Sequence, residues 1–98
     1  MIFKLRLDDD AAITLKELEL DYSKKRILKD VLKTLEFMKT NLRHPSLNTH
    51  EYHRLKGQNG EKVFESYAQQ KTPGAYRIFW HYGPNKGWIT IRLIIPHP

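Results

Sequence analysis

The sequence predicts one α+β domain in which a helical hairpin covers one face of a four-stranded sheet. Three observations predict it. Apolar positions repeat with period two at the start of the chain and again after Gly60, they repeat at helical spacing in between, and 98 residues leave room for a single core spanning 1–98.

The first element is a strand. Ile2 to Leu7 alternates so that Phe3, Leu5 and Leu7 share one side, as in a half-buried strand, and Asp8-Asp9-Asp10 ends it. Those carboxylates suit the positive end of a following helix, along which Ala11, Leu15, Leu18 and Tyr22 recur on one face while Ile13 and Leu20 fall off it. Ser23 reads as the N-cap of a second helix from Lys24 to about Leu42. There Leu28, Val31, Leu32, Leu35 and Met38 form the apolar stripe, with Lys25, Lys29, Lys33 and Glu36 on the remaining surface. Arg43-His44-Pro45 closes the hairpin, because proline disfavours helical angles at the residue before it.

From Ser46 to Gly60 core residues are sparse, and the segment reads as a loop with a short turn around His50 to His53. Three strands follow, Glu61 to Gln69, Ala75 to Tyr82 and Gly87 to Ile95, separated by Thr72-Pro73-Gly74 and Pro84-Asn85-Lys86. They form an antiparallel meander. Alternation puts Tyr76, Ile78 and Trp80 on the helix side together with Ile89, Ile91, Leu93 and Ile95. Arg77, Phe79 and His81 then share the opposite face with Trp88, Thr90 and Arg92. Cations interleaved with aromatics suit RNA, since rings stack on bases while guanidinium groups hold phosphates.

Composition narrows the function. Seventeen Lys and Arg against eleven Asp and Glu give a net charge of +6, which favours an anionic partner, nucleic acid or an acidic protein. The absence of cysteine excludes a disulfide scaffold, a thiolate nucleophile and a cysteine-built zinc site. Met1-Ile2-Phe3-Lys4 opens no long apolar run, so neither a signal peptide nor a membrane span is expected, and the expected compartment is the cytoplasm. His50 and His53 have a ligand-like spacing that Glu51 or His97 would extend, but the set is too open for a zinc site, and no metal or other cofactor is expected.

Three stretches carry a family likeness. His53-Arg54-Leu55-Lys56-Gly57, Gly74-Ala75-Tyr76-Arg77-Ile78-Phe79-Trp80 and Ile94-Ile95-Pro96-His97-Pro98 resemble, in order and spacing, motifs of the RelE/ParE toxin superfamily of type II toxin–antitoxin systems. In its ribonuclease members the resemblance implies cleavage of messenger RNA in the ribosomal A site, without a metal, by attack of the substrate 2′-hydroxyl on the adjacent phosphorus. The protein then has to take one proton, steady the transition state and protonate the departing 5′-oxygen.

On that likeness the catalytic set is His53, Lys56, Arg77 and His97. Arg77 holds the phosphate, for which a guanidinium offers two parallel charge-assisted bonds. Lys56 stabilises charge, His53 handles a proton, and His97 is the general acid. Arg54, Phe79, His81, Trp88 and Arg92 form the expected substrate-binding set. Some ribonucleases of the family continue past the last strand with a helix and a base-stacking tyrosine; this sequence stops at Pro98, so either Phe79, Tyr82 or Trp88 stands in as the platform or activity is weaker than the family implies. The implied partner is a cognate antitoxin with an acidic segment, in a toxin–antitoxin hetero-oligomer. Two alternatives share the fold: a ParE-type poison of DNA gyrase, and a catalytically inactive member that only binds RNA or a partner. The histidines, with Lys56 and Arg77, favour the ribonuclease.

Overall fold

The computed structural model describes residues 2–97; Met1 and Pro98, the last residue of the C-terminal motif, lie outside the described residues. The order is β1 (Lys4–Leu7), α1 (Asp9–Leu20), α2 (Lys25–Thr40), β2 (His50–Lys56), β3 (Lys62–Tyr67), β4 (Tyr76–Tyr82) and β5 (Trp88–Pro96).

Asp9 and Asp10 occupy the first turn of α1, where carboxylates complement the free amides. Between the helices the capping residue is Asp21 and not Ser23. Its carboxylate accepts from the Ser23 amide at 3.0 Å and the Ser23 hydroxyl at 2.6 Å, starting a single 3₁₀ turn. Those bonds, the hydroxyl's first, hold the Asp21 carboxyl below the usual carboxylate range. Val31, Leu35 and Met38 turn the buried face of α2 to the sheet, and a 3₁₀ turn at Pro45–Leu47 leads out of the helix.

The sheet has five strands where the sequence predicts four, in the order β1-β5-β4-β3-β2. The extra strand is β2, in the segment read as a loop. It is an edge strand with a register shift between Glu51 and Lys56, so Tyr52 and Leu55 fall three apart and period two disappears. The meander from β2 to β5 is antiparallel throughout, whereas β1 joins β5 in parallel, Lys4 to Leu7 opposite Trp88 to Ile91.

Tyr76, Ile78 and Trp80 do line the core, against Ala11, Leu18, Val31, Leu35 and Met38. The parity expected along β5 fails halfway. Trp80 faces Ile91 but Phe79 faces Leu93, so Arg92 is the extra residue of a bulge. Beyond it Ile94 enters the core opposite Ile78, while Leu93 and Ile95 join Phe79 and Arg77 on the other face. Ile94→Ala is therefore expected to cost about 2–5 kcal/mol and Ile95→Ala about 1 kcal/mol, read from urea midpoints. The reverse order would mean that the bulge is misplaced.

Candidate active site

The face turned away from the helices is a curled trough. From β5, Arg92 reaches past β4 and β3 to donate to the Lys56 carbonyl of β2 at 3.2 Å, and the Tyr52 ring meets Phe79 edge-on at 4.8 Å. That curl buries the side chains expected to stand open: Arg77 is 7% exposed, Phe79 3% and His81 4%.

Glu65 lies at one end of the trough. Register places it opposite Phe79 and places Tyr67 opposite Arg77, so β3 presents both side chains to the outer face of β4. The carboxylate receives three groups: His50 Nε2 at 2.9 Å on one oxygen, with Arg77 Nε at 3.6 Å and His97 Nδ1 at 3.9 Å on the other. Tyr67 lies 3.7 Å from the guanidinium carbon, and the Gln69 carbonyl accepts from Arg77 Nη1 at 2.7 Å. His97 is pinned by its own amide, which donates to the Ala75 carbonyl at 2.7 Å. Two of the four residues expected to be catalytic, Arg77 and His97, thus meet here with His50, weighed above only for its ligand-like spacing, and with a glutamate that no motif singled out.

The other two gather elsewhere. Glu51 takes His53 Nδ1 at 3.3 Å and Lys56 Nζ at 3.9 Å on one carboxylate oxygen, along exposed β2. Consecutive strand residues point to opposite faces, so His50 and Glu51 head two adjoining groups on one edge strand. Arg54 is exposed beside them.

The remaining candidates sit farther along. Arg92 is paired to Asp8 at 2.9 Å, and Asp8 also holds Arg6 at 3.1 Å, which ties β1 to the bulge. His81 bonds the Tyr82 carbonyl through Nδ1 at 2.8 Å. Near it, loop amides hold the Glu61 carboxyl below its ordinary value, with help from His81 and Arg92. Trp88 opens β5 at the far end, with Lys4 Nζ 5.6 Å from its ring, so it shares no surface with Arg77.

Among the described residues no three His, Asp or Glu side chains converge as ligands for an ion; His50 goes to Glu65 and His53 to Glu51. A hollow of about 750 Å³ opens on the helix side among Phe3, Leu42, Arg43, Phe64 and Tyr82, and none of Glu65, Arg77 or His97 lines it.

No family model matches this sequence, and no curated protein matches it significantly. Solved structures do. A chain of the archaeal RelE–RelB complex from Pyrococcus horikoshii superposes with a TM-score of 0.64 at 11% identity, covering 98% of this chain and 96% of that one. The YoeB/ParE toxin from Agrobacterium tumefaciens gives 0.69 at 9% identity, over 98% of this chain and all 100% of that one. The fold is that of the RelE/ParE toxins. A chain of the YoeB–YefM complex from Staphylococcus aureus shares the toxin fold at 0.67 and 13% identity, with 100% of both chains covered. Among the described residues of this toxin fold no helix is long and apolar enough to cross a membrane.

Proposed function

We propose that this chain is the toxin of a type II toxin–antitoxin pair and that it cuts messenger RNA in the ribosomal A site. The observation that carries this reading is the meeting of Arg77, from β4, and His97, just past the end of β5, at one buried carboxylate in a RelE/ParE-type fold. An arginine and an imidazole side by side supply two of the three needs of a 2′-hydroxyl transesterification.

In that reaction the 2′-oxygen bonds to phosphorus as the bond to the 5′-oxygen breaks, leaving a 2′,3′-cyclic phosphate. Arg77 binds the non-bridging oxygens, whose charge grows in the transition state. His97 presents Nδ1 to Glu65, so Nε2 is the nitrogen left to give its proton to the 5′-oxygen. The 2′-proton passes to solvent, because Glu51 pairs with Phe64 and holds His53 and Lys56 on the other face of β2 from Glu65, where with Arg54 they are left to hold the flanking backbone. No metal takes part in this scheme. The partner is an antitoxin with an acidic segment, matching the +6 charge and the RelB and YefM complexes of the structural neighbours, and the compartment is the cytoplasm.

One observation favours a second reading, a domain that only binds. Arg77 is already engaged by Glu65, Tyr67 and the Gln69 carbonyl. The test is the purified chain on translating ribosomes, with cleavage sites mapped along the message and gyrase supercoiling measured in parallel. Cut message with untouched supercoiling supports the ribonuclease. Intact message overturns it, in favour of a gyrase poison where supercoiling stops and of a silent binder where it does not.

A further inference from the structure

A carboxylate with a 7% exposed side chain is costly in a strand whose neighbour on the same face is the buried Val63. Burying an ion costs several kcal/mol unless partners compensate it, and an apolar residue would fill the same space without that cost. Glu65 also sits where a negative charge opposes the binding of an anionic substrate. Two penalties at one position call for a compensating role.

The geometry says what that role is. Glu65 is buried at the end of the trough, in contact with Arg77 and His97, which do the recognising, and with His50. Its contact with Arg77 Nε, at 3.6 Å, is a few tenths of an ångström beyond a hydrogen bond, and that Nε is the buried side-chain polar atom left without a hydrogen-bond partner among the described residues. With Tyr67 against its plane and Gln69 on Nη1, the guanidinium keeps Nη2 uncommitted among the described residues. The contact with His97 Nδ1, at 3.9 Å, is likewise loose, and it orients the ring by attraction alone. His50 is held tightly: Nε2 at 2.9 Å from Glu65 and Nδ1 at 3.0 Å from the Asn48 carbonyl both face acceptors, so the ring closes the edge of the site and does not handle protons.

We infer that Glu65 is the positioning residue of this site, the carboxylate that aims Arg77 and His97 at one phosphodiester and fixes which nitrogen of His97 meets the leaving oxygen. The inference rests on the ribonuclease reading. It assigns Glu65 no contact with substrate and no proton transfer of its own.

Glu65→Gln keeps volume and hydrogen bonding but removes the charge. With ribosome-bound message, kcat should fall on the order of 10- to 100-fold while KM changes less than about threefold, and Glu65→Asp should recover part of the loss. An activity-independent reading comes from ¹⁵N spectra of the imidazole and guanidinium groups. In the wild type the neutral His97 ring should carry its proton on Nδ1, and in the E65Q variant that preference and the Arg77 Nε–H resonance position should both change. Where E65Q does not fold, E65D carries the test, because it keeps the charge and withdraws the carboxylate by one methylene. A folded E65Q protein that cleaves at the wild-type rate, or spectra unmoved by the substitution, overturns the inference and leaves the ribonuclease reading standing. A wild-type chain that cleaves nothing overturns the ribonuclease reading instead, and the spectra still report whether Glu65 governs the two side chains.

Discussion

Replacing Arg77 by lysine is expected to slow message cleavage by roughly 100- to 1000-fold while the domain stays folded. The guanidinium offers a rigid fork to two phosphate oxygens at once, whereas an ammonium offers a point charge, so the conservative change removes the geometry and keeps the sign. Lysine is a better test than alanine because of Glu65. Arg77→Ala leaves a buried carboxylate with two histidines and no permanent cation and is expected to cost about 3–5 kcal/mol, enough to confuse lost chemistry with lost folding. Urea denaturation alongside single-turnover cleavage separates the two effects. An Arg77→Lys protein with undiminished cleavage would remove the arginine from the chemistry.

His97→Ala is expected to lower cleavage by about 100- to 10,000-fold, the range for a lost general acid, with almost no change in stability because the side chain is 55% exposed. A substrate with sulfur in place of the 5′-bridging oxygen sharpens this result. A thiolate leaves without being protonated, so the modified message should restore the His97→Ala rate and leave Arg77→Lys slow. Rescue of both variants, or of neither, would take the proton-donor role away from His97.

The helical hairpin and the three later strands were legible in the sequence because each follows from local periodicity. Of the four residues that the motifs placed in one site, only Arg77 and His97 reach Glu65, whereas His53 and Lys56 go to Glu51. What escaped was set by long-range geometry. Strand β2 has charged residues on both sides and a bulge, so no repeat betrays it, and its place in the sheet comes from long-range contacts with β3, Phe79 and Arg92. The bulge at Arg92 hides in a run of β-branched and apolar residues, where either parity looks acceptable. Glu65 could be placed on the Arg77 face only by knowing the β3–β4 register, and a lone carboxylate in a strand reads by default as solvated. The signal that was available is its spacing from Val63 and Tyr67, which puts a charge between two positions able to pack. The predicted open binding face became a trough because alternation determines sides but not curvature.

The pairing of β1 with β5 has a consequence for the order of assembly. The first strand to emerge in synthesis has as its only sheet neighbour the last, and parallel ladders across the whole chain form late because the loop must close before any bond rewards it. The same late segment brings His97 to Glu65. A chain without β5 therefore has neither the β1 pairing nor the His97–Glu65 contact, and both form in the same docking step.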